Sequence, residues 1–291
     1  MSLSSNALIA KLSVTMLGNR HKDAALTQDV HQRHAMSQDA GLYQKCLLPE
    51  ACLSPLRKVM TAARADHRQQ TLMTPYGPLL PAARVEAYLK SMTGWKATWD
   101  GAVRVFIAGY DHNVALARRR LNGSFREKDY PNVHELPEHF AFDSMLVPLP
   151  SADALDEIAG LADNRVAQMR SELQRTSQQA AQQARDELMT RLLDQLQKVG
   201  TMLCNPDSKV WPKTLDNLTR LLELAPTYNL TGDPTITRLV ADCRRTLTLA
   251  ADALKDSETT RARSASAAKL LLQSHGRKIE LPKKNPTPTH P

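Results

Sequence analysis

Two stretches of about forty residues carry an unbroken helical pattern of apolar side chains, and few folds are open to a chain that contains them. From Ala82 to Leu121, the residues Tyr88, Met92, Trp95, Trp99, Val103, Phe106, Tyr110, Val114, Ala117 and Leu121 recur at steps of four and three. That spacing places side chains on one face of an α-helix. From Asn164 to Leu203, the seam is Val166, Met169, Leu173, Thr176, Ala180, Ala184, Leu188, Leu192, Leu196, Val199 and Leu203. At 1.5 Å per residue each stretch is a rod of about 60 Å. The first also bears Ala87, Gly94, Gly101 and Ala108 at a spacing of seven, a second face on which another backbone could approach closely. Two rods of equal reach predict antiparallel, coiled-coil-like packing along their length.

The rest of the chain agrees with a mainly α class. Only 4% of residues are aromatic and 11 are Gly, a usage that suits helices rather than sandwiches or barrels. Further helices are expected at about 20–40, 50–71, 212–225 and 234–255, the last opened by Asp233-Pro234 as N-cap and first-turn proline. Residues 8–16 alternate as a strand does, and 140–147 form a second short strand that should pair with it. Proline density marks 74–81 as a loop. The expected architecture is an elongated helical bundle with two long amphipathic helices and a small two-stranded β element. It forms one domain over residues 1–255, followed by a basic, largely disordered tail at 256–291.

Charge is unevenly placed. The net charge is +8, yet eight of the Lys and Arg residues and only three acids fall in 255–291, leaving the preceding 254 residues nearly neutral at 30 cations to 27 acids. The tail is therefore the expected contact for nucleic acid, through Arg261, Arg263, Arg277, Lys278, Lys283 and Lys284. Arg118, Arg119 and Arg120 add a second basic spot at the end of the first rod, where cations also oppose the negative end of the helix dipole. No 18-residue window is apolar enough to span a membrane, and no leader peptide with a cleavage site is recognisable, which predicts a cytoplasmic protein. Cys46, Cys52, Cys204 and Cys243 match no zinc or redox spacing and read as reduced structural thiols.

No reaction can be named from the motifs. His134-Glu-Leu-Pro-Glu-His139 separates its histidines by five and carries Pro137, so it cannot form the helical zinc site it resembles. His21, His31 and His34 lack the partners that would complete a ligand set. Arg64, His67 and Thr71 share a helix face and form either a small anion site or a polar seam. No nucleophilic triad, phosphate-cradling loop or paired carboxylates are recognisable, so no catalytic residue, metal or cofactor is assigned.

Several segments together resemble a family of phages, prophages and conjugative elements catalogued as domain of unknown function 3150. They are Lys45-Cys-Leu-Leu-Pro49, Arg64-Ala-Asp-His67 with Thr71-Leu72, Leu80-Pro81, Phe106 with Tyr110, Asp129-Tyr-Pro131, Phe140, Pro148-Leu-Pro150 and Asn229-Leu-Thr-Gly-Asp-Pro234. The family's usual Pro-Trp after the threonine-leucine pair is replaced here by Met73-Thr-Pro-Tyr76. The resemblance carries no activity. It implies a gene neighbourhood with a MoxR or CobS-like AAA+ ATPase, a von Willebrand A-type protein and phage-type recombination genes. The expected function is thus a non-enzymatic partner or adaptor in a bacterial host cell, able to form an oligomer. A DNA-binding accessory protein of recombination or replication, or a phage structural component, are the alternatives.

Overall fold

A computed structural model of the chain describes residues 3–151 and 163–279. The chain opens with α1 (Leu3–Asn6), β1 (Ala7–Thr15), β2 (Arg20–Lys22), α2 (Ala24–Arg33), β3 (Gln44–Cys46) and α3 (Glu50–Gln70). A hairpin follows, β4 (Leu72–Thr74) and β5 (Gly77–Pro81), then α4 (Val85–Ala108), α5 (Tyr110–Leu121) and β6 (Ala141–Pro148). The remainder is α6 (Asp163–Cys204), α7 (Pro212–Tyr228), α8 (Pro234–Thr246), α9 (Ala251–Asp256) and α10 (Glu258–Ser274). The mainly α class is as expected, and the strands at 7–15 and 141–148 are neighbours in one small sheet of order β4-β5-β1-β6. That sheet has four strands and not two. A separate ribbon pairs β2 with β3, antiparallel, Arg20 opposite Cys46.

The described residues divide into two compact units instead of one domain. The first takes the chain up to Ile9, residues 71–84, and everything described from Pro148 onward. The second takes 10–70 and 85–147.

In the first unit, α6 is the axis. Its seam from Ala180 to Leu203 is buried against α7, α10 and β4, closing a core with Leu215, Leu218 and Leu222 of α7, Ile236, Leu239 and Val240 of α8, and Ala265, Ala268 and Leu272 of α10. The tail expectation is corrected here, since residues 258–274 form a helix capped by Ser257, whose hydroxyl accepts from Thr260 N–H at 3.2 Å. Its buried face is Ser264, Ala265, Ala268 and Leu272, small side chains with a weak hydrophobic signal that allow close approach to α6. At Gly200 an added Cβ would lie 2.8 Å from Ile279 Cδ1. Residues 280–291, with Lys283 and Lys284, lie outside the described residues.

In the second unit, α3 packs on α4. Leu53, Leu56 and Ala63 of α3 and Tyr88, Met92, Trp99 and Phe106 of α4 are all buried. Trp99, Phe106 and Phe140 meet edge-on or tilted, with Phe106 and Phe140 centroids 5.4 Å apart, and Tyr110 lies against Phe106 at 5.9 Å. The first rod is not continuous. It is interrupted at Gly109, whose N–H is shared between Val105 O and Phe106 O, both at 3.2 Å, before α5 begins. Within its unit, α4 has α3 as its main partner, and within its own, α6 has α7 and α10.

Candidate functional site

The residues singled out by sequence fall into three groups once they have positions: clamps, capping cations, and an uncovered groove. The clamps use four of the eight motif segments quoted for the family resemblance. In the second unit, Lys45 of β3 is only 3% exposed, and its ammonium lies 2.8 Å from Asp129 Oδ2 and 3.6 Å from Asp23 Oδ2 while donating to Ser124 O at 2.7 Å. His21 Nδ1 approaches the other Asp129 oxygen at 3.2 Å. The Leu26 N–H that Asp23 caps, and the Lys45 charge, outweigh burial and hold the Asp23 carboxyl below the ordinary carboxylate range. The Tyr130 hydroxyl donates to Leu47 O at 2.9 Å. Two motif segments some eighty residues apart, 45–49 and 129–131, are thus one buried ionic latch.

The Arg64–Thr71 group does not converge on a pocket. Arg64 donates to Val14 O at 2.8 Å. His67 Nδ1 meets the Tyr88 hydroxyl at 2.9 Å. Burial disfavours both charged forms, pushing His67 down and the Tyr88 phenol up to about 12. The neighbouring Asp66, to which the motif Arg64-Ala-Asp-His67 gave no role of its own, is the hub: its Oδ2 accepts from Gln70 Nε2 at 3.0 Å, Trp95 Nε1 at 2.9 Å and the Ser91 hydroxyl. In the first unit, Thr71 is buried, and its carbonyl accepts from Arg191 at 2.7 Å. Asn229 closes another motif, donating from Nδ2 to Asp233 O at 2.9 Å and accepting Asp233 N–H at 2.8 Å. Burial opposes ionisation of Asp233, but the Ile236 and Thr235 N–H groups and Arg185 prevail and hold its carboxyl low.

Several of the cations expected to meet phosphate have internal partners. Arg120 donates to Cys46 O and to Leu47 O, the latter at 3.1 Å. Arg118 lies 4.9 Å over the Phe125 ring and 3.6 Å from Glu127, and Arg119 is exposed. Arg261 donates to Met202 O, Leu203 O, Asn205 O and Ser208 O at 2.6–3.3 Å, capping the C-terminus of α6. Arg277 pairs with Asp194, whereas Arg263 and Lys278 are exposed. His134 is exposed in a turn and His139 is exposed at the end of the short 3-10 helix Leu136–His139 that follows it, and no cluster suited to a metal ion occurs among the described residues.

The groove lies in the second unit. Ala51, Cys52 and Pro55 of α3, Gly101, Ala102, Val105 and Phe106 of α4, and Asn113 of α5 line about 350 Å³ of largely apolar space. Val105 is 75% exposed at its edge. The small-residue face of α4 is not covered as expected: a Cβ on Gly94 would meet nothing within 4 Å, and on Gly101 only the end of Arg104 at 3.9 Å. Burial pushes the Cys52 thiol above its ordinary value, so it lines the groove as a neutral side chain. No described helix is long and apolar enough to cross a membrane. No family model, no curated protein and no solved structure matches this chain.

Proposed function

We propose that this protein is a non-enzymatic partner or adaptor in the machinery of a phage or other mobile genetic element, and that it offers a packing surface to a helix of a MoxR or CobS-like AAA+ ATPase. The observation that carries this reading is the apolar groove between α3 and α4, with Val105 exposed at its edge and Gly101 in its lining. A concavity of this size, floored by Ala and Gly, admits one or two apolar knobs of an incoming amphipathic helix. The bare Gly101 in its lining lets that helix's backbone come close. The groove supports the mode of contact; the identity of the ATPase comes from the family resemblance alone.

Co-purification with the AAA+ ATPase encoded beside the gene tests the proposal. Wild-type protein should retain the ATPase through a gel-filtration column. Val105→Glu and Gly101→Leu should each weaken capture about tenfold or more while leaving thermal unfolding unchanged, as expected when a contact at the centre of an interface is lost. Two folded proteins that elute separately at micromolar concentration would refute the partnership. Capture that is indifferent to both substitutions would move it away from the groove.

A further inference from the structure

The loop that joins α6 to α7 holds a tryptophan out of the core. Trp211 is 60% exposed, whereas Trp99 is buried and Trp95 half-buried with its indole N–H bonded to Asp66. An indole gains much by burial, so one left in solvent needs a reason. Looseness of the loop is not that reason. Arg261 ties the carbonyls of Asn205 and Ser208 to those of Met202 and Leu203, Val210 is buried, and the Trp211 N–H donates to Met202 Sδ at 3.2 Å. The ring projects from a pinned backbone.

Its flanks are cationic. Lys209 and Lys213 are both exposed, two residues to either side, and Asp207 is the only acid in 205–213. Helix α7 begins at Pro212 with no side-chain cap, and its first N–H groups, from Lys213 onward, put the positive end of the helix dipole at the same place. An aromatic anchor for a protein partner is ringed by near-neutral contacts that exclude water, and two ammonium groups do not make such a ring. A nucleobase with a phosphate on each side along its strand matches an indole with a lysine on each side along this chain. We infer that Trp211, Lys209 and Lys213 are a contact for single-stranded nucleic acid. One base stacks on the indole, and the flanking phosphates lie against the two ammonium groups. Arg261, expected from sequence to grip phosphate itself, is the positioning residue that fixes the loop. This contact does not depend on the groove or on the partner proposed for it.

The test uses the full chain with oligo-dT and oligo-rU of about 20 nucleotides and a duplex of equal length, between about 50 and 200 mM salt, read by anisotropy and by tryptophan fluorescence. Both single strands should bind and quench the emission of the exposed indole, and a preference for one sugar tells DNA from RNA. Trp211→Ala should weaken single-strand binding by at least about fivefold with an unchanged melting curve, and Trp211→Phe should restore most of it. Lys209→Gln with Lys213→Gln should reduce the log-log salt slope by about 1.4. Failure of either oligomer to bind at the lowest salt, or unchanged affinity in Trp211→Ala, overturns the inference. An equal loss on the duplex overturns the assignment to single strands.

Discussion

Lys45 shows how much of this chain's polar chemistry is internal. Its ammonium is buried between the carboxylates of Asp23 and Asp129. Removing one partner of such a group costs far more than the group contributes while intact. Lys45→Met should therefore lower the unfolding free energy by about 3–5 kcal/mol in denaturant titration, and adding Asp129→Asn should recover part of the loss. His67 gives a pH signature. Burial holds its folded pKa below the ordinary 6.5, so as pH falls through about 6.5 the unfolded chain takes a proton that the fold still refuses. Stability should be flat above that point and decline below it until the folded value is reached. His67→Gln should flatten the slope. Asp23 and Asp233, both held low, add a separate loss only in acid, as pH falls below 3.8.

Among the elements, legibility tracked side-chain size. The α6 seam was readable because Leu188, Leu192, Leu196 and Leu203 are large and evenly spaced, and α4 because its stripe is aromatic. The α10 helix was not, because Ser264, Ala265 and Ala268 bury little area each and gain their value from closeness to α6. The β4–β5 hairpin was hidden by its prolines. Pro78 is tolerated in β5 because the β1 ladder, registered from Ile9 opposite Leu79 to Ala7 opposite Pro81, stops short of it, while on the β4 side its opposite, Met73, directs its own N–H to Glu187. Gly77 takes φ +104° just after the two-residue turn, where most side chains would be strained. The Asp66 hub went unseen because its partners Ser91 and Trp95 are on another helix, a relation only the fold supplies. Two measurements follow. A chain ending at Ser257 should unfold with a clearly lower midpoint, since it bares Val199 and Leu203 and loses the Arg261 cap. Gly200→Ala should push Ile279 outward, so that amides 275–279 exchange faster, while global stability changes little because alanine also favours the helix.

For the molecule as a whole, the groove and the Trp211 loop belong to different units, so substitutions in one should leave binding at the other unchanged. Val105→Glu should bind oligo-dT as wild type does, and Trp211→Ala should still capture the ATPase. The units are not, however, successive stretches of chain. The backbone passes from one to the other four times, after Ile9, Gln70, Arg84 and Val147. No single crossover in the gene can exchange one unit for a foreign copy without splitting the other. Recombination should therefore hand this protein on intact, both surfaces inherited together, where a tandem arrangement would let each drift or be swapped alone.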